Sequence, residues 1–426
     1  MNQNMGTMMF QLAQKLFPIC RSITGEGVRQ TLSELKAIMP SMSIHEIASG
    51  TDVFDWKIPK EWNIKDAYIE DMQGKRIISF QKNNLHIMGY SLPIDKIMTR
   101  EQLLKIVYTQ KDQPDVIPYV TSYYSEKSGF CMSEKQKASL KDEKYHVVID
   151  SELKQGSLTY GEILLPGDSE KEIFFSTYIC HPSMANNEIS GLCVAIYLAK
   201  WLNELPRRYS YRFAFVPETI GALAYLNNNL HNMKKNILAG LVLSCVGDTR
   251  AYSYIESRYG NTLSDKVLKN ILYFHTNNYK TYSFLQRGSD ERQYCAPHID
   301  LPVCTFCRSK FGEYPEYHTS ADNLSVISSD GLDNSLNICQ QYVIALEKND
   351  YYSIKCMGEP QMGKRGLYPL ISQKGSANDV QMMMDFIAYA DGQNDLLDIS
   401  NRIDVPVSKL IPIVEQLLQQ NLLRVC

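Results

Sequence analysis

Two histidines in this chain of 426 residues lie among polar side chains of the kind that bind metals. His181 ends an apolar run and is followed closely by Asn187 and Glu188, and His318 lies in a second polar stretch. Imidazole nitrogens and carboxylate oxygens are zinc ligands, and a catalytic zinc keeps one position open for water. That water becomes hydroxide near neutral pH, with a neighbouring carboxylate as its base. These residue types predict a hydrolytic zinc site if the fold brings the two histidines together.

The segment around His181 has the pattern of a strand, a loop and a helix. Residues 174–181 form a β-prone apolar run, and residues 190–202 are apolar enough for a buried helix. Polar side chains at the carboxyl end of a strand lie where α/β sheets usually place their sites. A lone histidine can also merely cap a strand, so this segment needs support from the rest of the chain.

Polar groups also follow further strand patterns of the central region. The residues concerned are Glu218, Asp248, Glu291, Arg292, Tyr317 and His318. Because parallel strands end at the same edge of a sheet, we expect His181 and His318 to converge on one zinc although a long stretch of chain separates them.

The adjacent residues Glu291 and Arg292 allow two interpretations. They could form an internal ion pair, or Arg292 could clamp an anionic substrate through its planar guanidinium. Tyr317 is expected to form part of the wall of the site. We therefore treat all three as candidate substrate-binding residues and leave both interpretations of the pair open.

Strand and helix patterns alternate along the central region. The predicted strands are 211–216, 237–246 and 303–308, and the predicted helices are 220–227, 262–274 and 329–347. This alternation predicts an α/β fold, in which a mixed, mostly parallel sheet is covered by helices on both faces.

Changes in pattern along the chain predict three domains. Residues 43–135 contain short alternating runs divided by turns, which indicates a β-rich inserted domain. The insertion would divide the α/β domain into residues 1–42 and 136–355. A linker rich in glycine and proline follows, and the short helical segments within residues 366–426 have helix-turn-helix spacing.

The charges of the C-terminal segment argue against nucleic-acid binding. From Gly366 onward there are seven acidic and four basic residues, and the predicted recognition helix, 406–420, has only Lys409 and Glu415 as charged residues. Phosphate binding needs clustered positive charge. We therefore expect this segment to serve in docking or in assembly of a homo-oligomer.

Composition predicts an ordinary cytoplasmic protein. The formal net charge is −3, which gives no basic footprint for nucleic acid. No apolar run approaches the roughly 20 residues needed to cross a membrane, and the first residues lack a signal-peptide pattern. The eleven cysteines are scattered irregularly, which indicates reduced thiols rather than a disulfide framework.

Four motifs, taken in order, resemble a bacterial aminopeptidase-like family of unassigned function. They lie at residues 180–191, 217–221, 288–294 and 315–320. Members of that family are often linked to surface-polysaccharide gene clusters, and the family is similar to zinc aminopeptidases such as aminopeptidase S and to glutaminyl cyclase. The resemblance implies a zinc-aminopeptidase-like fold with an inserted domain and a C-terminal winged helix.

The resemblance also implies roles for three residues. His181 falls on the first histidine ligand of the zinc aminopeptidases and His318 on the last. Glu218 falls on the carboxylate that acts as general base. The implied activity is that of a zinc-dependent aminopeptidase or amidohydrolase.

Three expected ligand carboxylates are replaced in this chain. The bridging aspartate falls on Asn187, the glutamate beside the base on Thr219, and the aspartate after the third strand on Ser244. Neutral groups are weaker zinc partners than carboxylates, which favours one metal over two. Glu188 is the predicted replacement ligand, and Asp248 is a second possibility.

These observations predict a zinc hydrolase that cleaves an amide bond of a small aminoacyl or N-acyl substrate, in the setting of surface-polysaccharide biosynthesis. The alternative is a metal-free pseudoenzyme that binds or regulates through its winged-helix-like segment. Tyr123, Tyr124 and Phe130 of the inserted domain could line a wall that restricts access, or could form the core of that domain.

Overall fold

The computed structural model describes residues 4–367 and 376–426, and its largest element is an eight-stranded mixed sheet. The helices are α1 Met5–Leu16, α2 Glu26–Ile38, α3 Arg100–Leu104, α4 Glu134–Ser139, α5 Ser190–Asn203, α6 Ile220–Asn236, α7 Leu263–His275, α8 Glu291–Tyr294, α9 Ser329–Lys348, α10 Ser376–Tyr389, α11 Leu396–Ile403 and α12 Val407–Gln419.

The strands are likewise numbered in chain order. They are β1 Ser43–Ala48, β2 Asp52–Val53, β3 Trp56–Lys57, β4 Glu61–Glu70, β5 Arg76–Ser79, β6 Ile94–Thr99, β7 Val107–Tyr108, β8 Phe130–Cys131, β9 Lys144–Lys154, β10 Ser157–Leu165, β11 Ser169–Tyr178, β12 Tyr209–Val216, β13 Ile237–Leu243, β14 Ser253–Ile255, β15 Lys280–Tyr282, β16 Val303–Cys307, β17 Tyr351–Ile354, β18 Asp391–Asp395 and β19 Leu423–Val425.

The large sheet has a parallel centre and antiparallel flanks. Its strands lie in the order β1, β10, β12, β11, β13, β16, β14, β15. The central strands β12, β11, β13 and β16 run parallel to one another, whereas β10 and β14 pair antiparallel to the centre. The predicted mixed, mainly parallel α/β sheet is confirmed.

The order of the central strands places helices on both faces of the sheet. α5 connects β11 to β12 on one side of it, and α6 connects β12 to β13 on the other side. Because such crossovers are right-handed, the two helices cover opposite faces. The carboxyl ends of β11, β12 and β13 then meet at one edge, which positions the loops that follow them.

Gly191 allows the start of α5 to lie close to this edge. A Cβ atom at this position would stand 2.4 Å from the Thr177 hydroxyl and 2.6 Å from the carbonyl oxygen of Leu243. Only glycine fits this approach. The remainder of α5 is almost entirely buried, as the apolar pattern predicts.

Two strands cross the predicted limits of the β-rich insertion. β1, at its start, pairs with β10 in the large sheet, and β9, which lies beyond residue 135, forms the middle of a four-stranded antiparallel sheet with β4, β5 and β6. Pairing partners are distant in sequence, and a strand pattern does not indicate which sheet the strand joins.

The C-terminal residues form a small sheet of β17, β18 and β19 together with α10, α11 and α12. β17 begins at Tyr351, ahead of the predicted start at residue 366, and residues 368–375 lie outside the described residues. By packing, the chain divides into two compact units, Met1–Gly260 with Lys280–Leu336 and Asn261–Tyr279 with Asn337–Cys426. No helix of the described residues is long and apolar enough to span a membrane.

Glu61, the first residue of β4, anchors α2. Its carboxylate accepts hydrogen bonds from Arg29 at 2.6 and 3.2 Å and from the backbone N–H of Ser157 at 3.0 Å. Burial opposes its ionisation, but these hydrogen bonds and the charge of Arg29 outweigh burial and lower the pKa of Glu61 to about 2. The anchored helix follows the loop that contains Arg21, a residue of the site.

We expect Glu61→Gln to lower the free energy of unfolding by about 1.5–3 kcal/mol at neutral pH. Because the folded-state pKa of Glu61 is depressed, its ionised form stabilises the protein fully above the ordinary glutamate pKa of 4.5, and this contribution is lost as the pH falls towards about 2. The difference between wild type and variant should therefore shrink as the pH falls below about 4.5. Urea unfolding across this pH range measures this difference in the free energy of unfolding, with Glu152→Gln at an exposed glutamate as control. A difference that grows on acidification would contradict the assignment.

Candidate active site

His181 is the third residue after the end of β11, and its ring is fixed through one nitrogen. Glu188, in the single π-helical turn Ala185–Ile189, lies 3.1 Å from Nδ1 of His181 and also accepts its backbone N–H. Burial alone would lower the pKa of His181, but the hydrogen bond and charge of Glu188 outweigh burial and raise it. Since Nδ1 is engaged, Nε2 is the nitrogen available to the site.

Glu188 itself is completely enclosed. Its carboxylate forms an ion pair of 2.7 Å with Nε of Arg21 and accepts the backbone N–H of Cys180 at 2.5 Å. Both side chains have no exposed surface, and a buried carboxylate without such a partner would be strongly destabilising. Because both oxygens are occupied, these contacts favour a role for Glu188 in orienting His181, and its role as a direct zinc ligand stays a prediction.

His318 lies close to His181 and presents a free nitrogen. The two ring centroids are 5.3 Å apart, and Nε2 of His318 is buried with no hydrogen-bond partner. Burial, and then the charge of His181, lower the pKa of His318 to about 3, so its imidazole is neutral at neutral pH. Two imidazoles on one tetrahedral zinc, with Zn–N bonds of about 2.0–2.1 Å, place their centroids about 5 Å apart.

Two tyrosines hold the ring of His318. The predicted wall residue Tyr317 stacks on it with 3.9 Å between centroids. Tyr119 meets it edge-on at 5.1 Å and also lies 5.2 Å from the ring of His181. Tyr119 therefore contacts both histidines.

Glu218 lies between β12 and α6, beside His181. Its Oε2 is 3.8 Å from Nε2 of His181, and its side chain is 22% exposed, so solvent can reach it. Burial raises the pKa of Glu218, whereas the charges of His181 and then Arg292 oppose that shift. A carboxylate with a raised pKa is suited to accept and return a proton near neutral pH.

Thr219 is held in a strained conformation next to this carboxylate. Its φ of 64° is in the left-handed region, which a β-branched residue rarely adopts. Asp290 accepts the backbone N–H of Thr219 at 2.8 Å, and Nη2 of Arg292 donates to the threonine hydroxyl. These contacts hold Thr219, the residue next to Glu218, in its left-handed conformation.

The adjacent residues Glu291 and Arg292 point to different partners. The buried carboxylate of Glu291 accepts the N–H groups of Gly288 at 2.8 Å and Ser289 at 3.2 Å and the Thr305 hydroxyl at 3.0 Å. These bonds favour a structural role for Glu291, and its contact with substrate stays a prediction. The interpretation of the pair as an internal ion pair finds no contact to support it, whereas Arg292 lines the pocket.

Two of the three replaced ligand positions belong to a neutral network. The Tyr178 hydroxyl is hydrogen bonded to the side chains of Asn187 and, at 2.7 Å, Ser244. Oδ1 of Asn187 is buried without a partner. The other possible replacement ligand, Asp248, is occupied by the Asn186 amide at 2.9 Å and by Ser309.

The donors of the site fit one zinc better than two. Among the described residues, the set of three His, Cys, Asp or Glu ligand atoms that lie within 4.8 Å of one another is Cys180, His181 and Glu188. We do not favour that set, because Glu188 is occupied and burial raises the pKa of the Cys180 thiol well above its usual range. The two neighbouring imidazoles of His181 and His318, with Nε2 of His318 buried and unpartnered, are better suited to hold a metal.

A second zinc would meet an unfavourable charge. The guanidinium of Arg292 is bonded to Thr219, the residue at the position of the second carboxylate. A cation held there repels another cation. The arrangement therefore favours a single metal.

A cavity of about 350 Å³ opens onto Glu218. The residues that line it include Trp56, Tyr123, Tyr124, Glu218, Thr219 and Arg292. Of the predicted aromatic wall, Tyr123 and Tyr124 lie at this cavity, whereas Phe130 is fully buried in a hydrophobic cluster. A larger cavity of about 530 Å³, lined by residues such as Ser22 and Asn63, contains none of the predicted site residues.

Three residues of the site had not been predicted: Arg21, Tyr119 and Asp290. Arg21 lies 167 residues before Glu188, and only the fold brings them together. Tyr119 lies in the predicted insertion, where nothing distinguishes it from its aromatic neighbours. Asp290 lies within the 288–294 motif, so its place among polar residues could have identified it.

Comparisons with known proteins agree with this architecture. Residues 10–349 match the family described as a domain of unknown function (DUF4910), and residues 349–425 match a winged helix-turn-helix family. A Clostridium acetobutylicum protein, provisionally named as a polysaccharide biosynthesis protein with an aminopeptidase-like domain, is 44% identical over 400 residues. The match covers 93% of this chain and 91% of that protein.

Solved structures extend the similarity. A crystal structure from Clostridium acetobutylicum, provisionally described as a peptidase, has a TM-score of 0.93 at 42% identity and covers 99% of this chain and 96% of its own. BSAP, a zinc aminopeptidase from Bacillus subtilis, has a TM-score of 0.58 at 11% identity, covering 80% of this chain and 94% of its own. At that identity the likeness shows the fold alone. The predicted aminopeptidase-like fold and C-terminal winged helix are confirmed.

Proposed function

The chain belongs to the DUF4910 family of aminopeptidase-like proteins, and on that basis we propose that it is a single-zinc hydrolase that cleaves an amide bond of a small aminoacyl or N-acyl substrate. The fold and the relatives support a peptidase-type hydrolase. The observation that carries the finer proposal is the pair of neighbouring imidazoles, each with Nε2 unclaimed by a hydrogen bond, beside the carboxylate of Glu218.

Each residue has a defined part in the proposed reaction. A bound zinc would supply a water molecule of lowered pKa and polarise the amide carbonyl. His181 and His318 would hold the metal, and Glu188 keeps Nε2 of His181 directed at it. Glu218 would take the proton from the attacking water and return it to the departing amine.

Three further features are proposed: the origin of the substrate, the location of the protein and the role of the winged helix. The name of the Clostridium acetobutylicum relative supports a substrate from polysaccharide biosynthesis. We propose a cytoplasmic location and a docking or self-association role for the winged helix. In support of that role, α12 contains one lysine and one glutamate as its charged residues, which is too little positive charge for a nucleic-acid surface.

We expect the chelator-treated protein to be inactive and one equivalent of zinc per chain to restore hydrolysis. N-acyl amino sugars and aminoacyl anilides, assayed side by side, test the substrate class. Turnover of N-acyl amino sugars is the predicted result. Robust turnover of unblocked peptides would identify an ordinary aminopeptidase and contradict the sugar assignment. If no amide is hydrolysed either with or without zinc, the result would favour the metal-free binding protein.

A further inference from the structure

Arg292 is a pocket guanidinium with few protein hydrogen bonds. Its Nη2 donates to the Thr219 hydroxyl, and its Nε is buried without a partner. Arginine carries five N–H donors. Among the described residues Arg292 forms no ion pair, so the pocket wall contains a cation with most of its hydrogen-bonding capacity unused.

No neighbouring carboxylate of the described residues forms a direct ion pair with Arg292, although its charge acts on Glu218 and Asp290. Asp290 accepts the backbone N–H of Thr219, and Glu291 accepts its hydrogen bonds within the fold. Glu218 lines the same pocket as Arg292, but its Oε2 lies 3.8 Å from His181. None of these carboxylates neutralises the guanidinium by direct contact.

The rest of the pocket suits a compact organic group. Its volume of about 350 Å³ is sufficient for a small acid, and Trp56, Tyr123 and Tyr124 supply aromatic surface. Small-molecule sites combine such apolar walls with a few polar groups that fix orientation. Removing water from an unpaired guanidinium is unfavourable, so an anionic group is better accommodated beside Arg292 than a neutral or cationic group.

We propose that Arg292 binds a carboxylate of the substrate, so that the pocket selects N-acylated acids over compounds with a free amine. The planar guanidinium matches the two oxygens of a carboxylate, and the aromatic side chains contact the apolar part of the same molecule. An ammonium group in this position would be repelled by the guanidinium. This inference rests on the proposed hydrolase function and narrows its substrate class.

Calorimetric binding of a matched pair of compounds tests the proposal. N-benzoylglycine and N-benzoylglycinamide have nearly the same shape and differ in the charge of one end. With full-length protein freed of metal by a chelator, so that zinc cannot bind the acid, we expect the acid to bind about 10–100-fold more tightly than the amide. In Arg292→Gln this ratio should fall to about 1, and in Arg292→Lys it should take an intermediate value.

The control is Arg287→Gln, which removes the same charge from an exposed residue of the same segment and should keep the wild-type ratio. Thermal unfolding verifies that each variant is folded. If Arg292→Gln does not fold, the ratio in wild type, Arg292→Lys and Arg287→Gln decides the question. Equal binding of acid and amide to wild type, or an acid preference that survives in folded Arg292 variants, would overturn the proposal.

The same measurements separate this inference from the proposed function. An acid preference that depends on Arg292, without zinc-dependent hydrolysis of any amide, would leave the carboxylate site intact and refute the hydrolase. Zinc-dependent hydrolysis together with equal binding of acid and amide would support the hydrolase and refute the carboxylate site.

Discussion

Glu218→Gln is expected to lower amide hydrolysis by about 10²–10⁴-fold, the usual effect of losing proton-transfer help. The amide side chain nearly matches the shape of the carboxylate but cannot accept a proton. Glu218 is the carboxylate whose Oε2 lies 3.8 Å from Nε2 of His181, and burial raises its pKa towards the range in which a base is useful. We expect kcat to fall while the unfolding temperature and the zinc content stay at wild-type values.

Zinc content and steady-state rates of the same preparation test this prediction. Glu204→Gln, at an exposed glutamate that follows α5, is the matched control and should behave as wild type. Loss of zinc from the Glu218 variant would make Glu218 a ligand rather than a base. Wild-type rates with zinc retained would remove it from the reaction altogether.

The general architecture was predictable because its signals are local. Apolar runs followed by polar residues mark the strand ends, and helical spacing marks the covering helices, so β12, β16 and α9 lie close to their predicted ranges. Helix α6 begins at its predicted start but extends to Asn236, beyond the predicted end at residue 227. These signals also indicated that the residues after β11 and β12 share one edge of the sheet. His181 and Glu218 could be identified for this reason.

The direction of individual side chains was not predictable, because it depends on distant partners. Glu188 follows the loop after His181, and a metal ligand and an orienting residue look alike at this position in the sequence. The ion pair with Arg21, 167 residues away, and the one-turn π-helix favour the orienting role. Glu291 is a similar case, since its hydrogen bonds to Gly288 and Thr305 require a particular loop conformation.

The replaced ligand positions include one feature that the sequence predicts and one that it does not. Asn187, Thr219 and Ser244 could be recognised from the motifs alone as departures from a two-metal pattern. That Thr219 is bonded to Arg292 could not be recognised, because the left-handed φ of Thr219 has no marker in a threonine. The motifs alone therefore led to the expectation of a single metal and to Arg292 as a candidate substrate-binding residue, whereas the bond of Arg292 to Thr219 was not predictable.

Zinc bound per chain is the second quantity for which we expect a large effect, and elemental analysis of purified protein measures it. Wild type reconstituted with zinc and freed of excess metal should retain about one zinc per chain, because two neighbouring imidazoles are available. His181→Ala and His318→Ala should each lose it, since each removes one of the two nitrogen ligands. His231→Ala, at an exposed histidine of α6, should retain it.

This measurement tests most directly whether His181 and His318 share one metal. About one zinc in wild type and in His231→Ala, with none in either of the other two variants, is the predicted result. Wild type that binds no zinc after refolding with the metal, or either active-site variant that keeps a full equivalent, would contradict the single-zinc site.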